Sequence, residues 1–205
     1  MLTPARAQDG FTLIEVLVTL TVLTVVVAAF SAVFQTTITR SATLTEHAAL
    51  ESEGRAAVDQ LVSELRQAAC NGSTAPVVAA SGTTLTFYTP DRATPYHLQE
   101  LSYTVSGGWL SRQQAISTNT GGPPWTIPAL STAVHKVGSI SNAQVFDFED
   151  ASGNDLSPGG AAVTSTNLPN IAYATVTLVL QPKASHNVDQ VFVQGSVDLR
   201  ESACS

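Results

Sequence analysis

Between Phe11 and Phe34 the chain runs for about 24 residues with a single ionisable side chain, Glu15, and no charge appears from Val16 to Thr39. At about 1.5 Å per residue, a helix of that length crosses a hydrocarbon core of about 30 Å. No glycine falls between Gly10 and Gly54, and no proline between Pro4 and Pro76. Nothing local therefore stops the helix where the apolar run ends, and it is expected to continue to about Ala69. Glu15 is the anomaly. An ionised carboxylate near a bilayer centre costs about 2.5–3.5 kcal/mol on insertion scales, and a plain anchor has no use for it.

Two simpler readings compete for this segment. A secretory signal peptide has an apolar core of about 7–15 residues ending at a small-residue site. Phe30-Ser31-Ala32 could serve as that site, but the run is too long, and Arg6 stands near Asp9 rather than in a basic cluster. A signal anchor ahead of an exported enzyme or receptor domain fits the length. It leaves Gly10 and Glu15 unexplained.

Beyond the run the helical pattern becomes amphipathic. Leu50, Gly54, Ala57, Leu61, Leu65 and Ala68 recur at spacings of three and four, with Val58 and Val62 beside them, which draws one apolar stripe. Glu51 and Arg55 are spaced to pair on the wet side, and Asn71-Gly72-Ser73 supplies a stop. From Thr83 the period changes to two. TTLTFYT, ELSYTVS, WLSRQ, AQVFDFED, YATVTLVL and VFVQGSVDL read as strands. Turns are expected at Ser106-Gly107-Gly108 and Ala151-Ser152-Gly153-Asn154. Ser117 to Pro128 and Asp155 to Asn170 read as long surface loops. The fold class is α+β: a long N-terminal helix, half transmembrane and half amphipathic, packed on one antiparallel β-sheet.

Lys and Arg number 9 against 16 Asp and Glu, and Lys occurs only at 136 and 183. So acidic a chain offers phosphates little, and no nucleic-acid partner is expected. His47, His97, His135 and His186 show no metal-ligand spacing. The chain has no GxSxG, HExxH or phosphate-binding glycine loop, so neither an enzyme nor a cofactor is expected. Asp147, Glu149, Asp150, Asn154 and Asp155 make an acidic hairpin tip, a weak calcium candidate beside the plainer reading of a solvated turn. Ala151 and Leu156 break the EF-hand pattern. Trp109 and Trp125 read as packing residues, although Trp125 on an exposed loop could meet a partner. Cys70 and Cys204 form no CxxC; they are free to pair in an exported domain and would be two ordinary thiols in the cytosol. Cys70 closes the long helix and Cys204 adjoins the carboxyl terminus, so a disulfide tying one to the other is the expectation, with two unpaired thiols as the alternative.

Gly10-Phe11-Thr12-Leu13-Ile14-Glu15, followed by the apolar run, resembles the class III signal of type IV prepilins and pseudopilins. The resemblance implies that a membrane prepilin peptidase cuts between Gly10 and Phe11 on the cytoplasmic side and that Phe11 is then N-methylated. It also implies that Glu15 meets the amine of a neighbouring subunit during assembly. Two charges that are each costly in a low-dielectric medium attract strongly there, so such a pair would penalise wrong axial registers. The alternative is a Glu15 that hydrates at the membrane edge. Asp9 departs from the basic or small residue of many such leaders, while Arg6 and the initiator amine still favour a cytoplasmic leader.

The implied type IV pilin-like fold divides the chain into a leader, 1–10, a transmembrane and assembly helix, 11–38, and a periplasmic or extracellular domain, 39–205. That domain would hold the amphipathic half-helix, 39–70, and the β-sheet, 77–205. GRAAVDQLVSELRQAAC, TLTFYT, LSYTVSGGWLSRQ and VDLR further resemble the PilW-type minor pilins and the J-type minor pseudopilins of type II secretion. The implied function is that of a minor pilin, not an enzyme, that enters a type IV pilus and helps to initiate it. A type II secretion pseudopilin and a competence pilin are the alternatives. The implied partners are other pilins or pseudopilins, the prepilin peptidase, the inner-membrane assembly platform and membrane lipid. The implied location is the inner membrane, single-pass, and then a periplasmic filament or surface pilus.

Overall fold

The helix starts directly after Thr12: α1 spans Leu13–Leu65. The computed structural model describes residues 12–119, 122–182, 189–199 and 204. By contact the chain divides into two compact units, Met1–Thr45 and Glu46–Ser205, and α1 contributes to both. The first unit holds the apolar part of α1.

In the second unit, two antiparallel sheets follow the last turns of α1. One has five strands in the order β1 (Val77–Ser81), β2 (Thr84–Pro90), β3 (Leu98–Ser106), β4 (Trp109–Ile116) and β5 (Val134–Val137). The other has three, in the order β6 (Phe146–Glu149), β7 (Tyr173–Leu180) and β8 (Val191–Asp198). The six strands read from alternation are present. β1 and β5 are additional: Val-Val-Ala-Ala-Ser and Val-His-Lys-Val are too short to display a period. The expected single sheet is thus two. The break follows β5, where Ser139 takes the left-handed φ of 63° and turns the chain away. An isolated bridge between Ile140 and Leu180, and bonds from the Val145 and Phe146 N–H groups to the Gly82 carbonyl, then link the sheets.

α1 ends before Ala69 because the sheet captures its exit. The N–H groups of Gln67 and Ala68 bond three residues back, to the carbonyls of Glu64 (3.1 Å) and Leu65 (2.9 Å). The N–H of Ala69 then leaves the helix for the Tyr88 carbonyl of β2 (2.9 Å). A last turn tightened in this way is a common helix ending.

The amphipathic stripe is the seam of the core. Ala57, Val58, Leu61 and Leu65 are buried in one cluster with Leu85, Phe87, Leu101 and Tyr103 of the larger sheet and with Val176, Leu178, Leu180 and Val193 of the smaller. Close approach is secured by glycine. A Cβ on Gly195 of β8 would lie 2.6 Å from Val58 Cγ1 and 2.9 Å from Val62 Cγ2, closer than packed atoms tolerate.

The segment Ser117 to Pro128 is not a loose surface loop. Trp125 is only 8 % exposed and packs with Tyr88 and Leu98 in a second, smaller core. Its ring meets Tyr96 edge-on, with centroids 5.5 Å apart. Asn71 holds its backbone from both sides: the Trp125 N–H donates to Oδ1 (2.7 Å), and Nδ2 donates to the Trp125 carbonyl (3.1 Å). Trp125 is therefore a packing residue, and its ring is not presented to a partner.

Next to Asn71, Cys70 is joined to Cys204 by a disulfide that spans 134 residues of sequence. Closing a loop of that length stabilises the fold by about 5 kcal/mol in the chain-entropy model. Intact mass after alkylation without reductant should show no added label, and two labels after reduction. Two labelled thiols in the unreduced, folded protein would contradict the pairing.

Candidate functional site

In the first unit, Leu13–Ile38 is a 26-residue stretch with a mean hydropathy of 2.6, long and apolar enough to cross a membrane. Its hydroxyls dispose of their own polarity. Thr19, Thr21 and Thr24 donate to carbonyls three residues back, at 2.8–2.9 Å. Ser31, Thr36 and Thr37 donate four residues back, also at 2.8–2.9 Å. Back-bonding of this kind satisfies a polar side chain inside lipid without a neighbour. Gln35 is also partnered. The carboxylate of Glu15 is different: among the described residues it takes no hydrogen bond and no salt bridge.

The backbone at Glu15 is well placed. Its N–H donates to the Thr12 carbonyl (3.0 Å) and lies 3.4 Å from Thr12 Oγ1. Thr12 thus sits at the N-cap and Glu15 three residues on, the spacing of a capping box, of which the threonine half is formed. An acid in a first turn also suits the helix dipole. Gly10 and Phe11, the expected cleavage and methylation residues, lie outside the described residues.

With this geometry in place, the comparison with known families is decisive for the segment. Residues 5–31 match the prokaryotic N-terminal methylation motif. That motif marks type IV prepilin-like proteins. A prepilin-like signal and an apolar helix ahead of antiparallel sheets together make this chain similar to type IV prepilin-like proteins, with an N-terminal helix long and apolar enough to serve as a membrane anchor. The family so marked is structural rather than catalytic. No curated protein matches the chain.

The other candidates separate. At the acidic tip the carboxylates serve the turn. Asp150 accepts from the N–H groups of Ser152 (2.8 Å) and Asn154 (2.9 Å) and from Asn154 Nδ2 (2.8 Å). Hydrogen bonds from Asn154, and then from its neighbours, hold the Asp150 carboxyl below its ordinary value. Asp155 accepts from the Ser157 N–H (2.7 Å), and Asp147 from the Phe148 N–H (3.1 Å). Among the described residues, Asp147, Glu149, Asp150 and Asp155 do not converge into a group that could hold a metal ion. His97, just before β3, bonds to Ser117, just after β4, and His135 of the edge strand β5 bonds to Ser111 of β4. Trp109 lies over Gly138, where a Cβ would meet its ring at 2.7 Å, and sits 5.0 Å from the His135 ring.

One polar cluster was not read from the sequence. Glu64 of α1 accepts from Tyr103 Oη (2.6 Å) and Arg112 Nε (3.2 Å) through one oxygen. Its other oxygen accepts from Arg112 Nη2 (3.1 Å) and Gln60 Nε2 (3.0 Å). This ties the helix to β3 and β4 beside the apolar core. A signal was available: Glu64 is three residues from Leu61 and seven from Ala57, a carboxylate on the margin of the stripe, and Arg112 alternates in phase with buried Leu110. The cluster serves as a clamp between α1, β3 and β4.

Burial, and then the adjoining Glu64 carboxylate, push the Tyr103 hydroxyl well above its ordinary pKa. The folded chain holds this proton where the unfolded chain releases it. Stability from Tyr103 is therefore fully present below about pH 10 and falls as pH rises beyond it. Tyr103→Phe should cost about 1.5–3 kcal/mol at neutral pH, the worth of a hydrogen bond to a charged group. It should also make the alkaline decline shallower. Urea midpoints measured from neutral pH to above the tyrosine range check both effects; equal slopes for the two proteins would contradict the assignment.

Proposed function

We propose that this chain is a minor subunit of a type IV pilus, which enters the filament after the peptidase cut between Gly10 and Phe11 and helps to initiate assembly. The observation that carries the reading is the isolation of Glu15. In a span whose hydroxyls are satisfied internally, one carboxylate is left without a partner among the described residues, at the start of a helix within the methylation motif. Cleavage after Gly10 makes Phe11 a new amino terminus four residues before Glu15. A neighbouring subunit's amine is then the complement of this carboxylate. The partners are other pilins, the prepilin peptidase and the inner-membrane assembly platform. The second unit, acidic and walled by two sheets, faces outward.

Processing is read from the mature amino terminus. Mass spectrometry should find N-methyl-Phe11. Chains beginning at Met1 or near Val33, in cells with a working prepilin peptidase, would sink the reading.

Glu15→Val should leave membrane insertion intact or improve it, because a charge leaves the span. Its incorporation into filaments should drop. For a priming subunit, pilus counts should fall while the main-subunit composition stays unchanged. Proteomics of sheared filaments with pilus counts measures this, and a secretion-defective background distinguishes a type II secretion pseudopilin. Normal counts with normal incorporation would mean that Glu15 has no assembly role.

A further inference from the structure

Among the described residues, the sheet edges are guarded, with one exception. β1 carries an irregularity between Val77 and Ala79. β5 has only four residues, includes Lys136, and pairs through a break in register at Leu110 and Ser111. β6 is equally short, and its outer side is taken: the Leu156 N–H donates to the Phe148 carbonyl (2.8 Å), and Asp155 bridges to Glu149. Bulges, short strands and lysines are the usual means of keeping an edge from pairing with another chain. β8 has none of them. It runs eight residues in unbroken register with β7, without proline or lysine, and exposes 68 % of Phe192.

The orientation of its backbone follows from its neighbour. Gln194 lies opposite Thr177, whose N–H donates to the Val145 carbonyl (2.8 Å), away from β8. The Leu199 N–H, by contrast, reaches the Ala172 carbonyl of the β7 side (2.8 Å). Odd-numbered residues of β8 thus bond inward, and the N–H and C=O groups of Phe192, Gln194, Ser196 and Asp198 face the open edge. Among the described residues, no backbone bond reaches them.

We propose that this edge receives an extended strand from a different subunit of the filament, a proposal that rests on the filament reading above. The side chains select the occupant. On the outward face, Phe192 stands beside Val179 at one end, and Asp198 stands in a row with Tyr173 and Glu149 at the other. Arg66 lines the niche by Asp198 without forming an ion pair with it among the described residues. Cross-strand pairing therefore asks for an apolar residue opposite Phe192 and a basic one opposite Asp198. A second copy of this chain fails the requirement. Two-fold antiparallel pairing of β8 with itself over most of its length sets Phe192 against Ser196 or Asp198, and brings together two acidic chains.

Gln194→Pro separates the edge from the fold. Proline removes an N–H that points outward, so the ladder to β7 keeps its bonds, while an incoming strand loses its donor and meets the ring. The full chain should keep the thermal midpoint of the wild type and its level in membranes, yet be lost from sheared filaments. Phe192→Lys, at an exposed position, should give the same loss and covers the case in which the proline variant fails to fold. Hydrogen exchange supplies an independent readout. The amides of Phe192, Gln194, Ser196 and Asp198 should exchange fast in the detergent-solubilised chain and slowly in assembled filaments, while Val193, Gly195 and Val197 stay slow in both. Folded variants that incorporate normally, or outward amides that stay fast after assembly, overturn the edge proposal alone. Absence of the wild-type chain from filaments overturns the filament reading with it.

Discussion

Everything in the second unit depends on one apolar seam. Neither sheet closes on itself, and the three-stranded one is near the lower limit for independent stability. The stripe Ala57, Val58, Leu61 and Leu65 lies against both sheets at once, so a single helical face supplies the shared wall that each lacks. Burial of a leucine or valine contributes about 1.5–3 kcal/mol, and the contact is tight because Gly54 and Gly195 have no Cβ where the side chains of Leu180, Val193, Val58 and Val62 come through. The Glu64 clamp sits on the border of this seam. It fixes the rotation of the helix over β3 and β4, where apolar contact alone would tolerate small shifts.

Much of this was legible because the chain writes its periods plainly. A stripe at three and four, six alternating strands and a motif tied to a spanning run can each be read without tertiary information. What escaped had local causes. β1 is alanine-rich and β5 has four residues, so neither shows a period. The split into two sheets turns on the backbone of Ser139, a residue type that does not announce a left-handed φ. Trp125 lay in a segment rich in glycine and proline, and composition pointed to the surface. Its burial is decided by Asn71, a residue 54 positions away. Glu64 was hidden by the habit of assigning charges to the wet side of a helix.

The end of the helix is reinforced by several different means over a few residues. Ala69 gives its N–H to β2, Cys70 is bonded to Cys204, and Asn71 grips the main chain of Trp125. A hydrogen bond, a covalent link and a side-chain bracket thus converge where an amphipathic helix would otherwise fray. Cys204, β2 and the segment around Trp125 are gathered at one point of the chain.

The inward-turned hydroxyls of the apolar helix have a further consequence. A helix whose threonines have already spent their hydrogen bonds offers a neighbour only shape, and shape along a row of valines and leucines repeats from turn to turn. Sliding past such a surface meets a nearly flat energy profile, one in which many axial positions are almost equivalent. In the proposed filament, a lone carboxylate on that surface would work as a detent on an otherwise smooth rail: it would leave motion free until one position is reached, and make that position distinct from all the others.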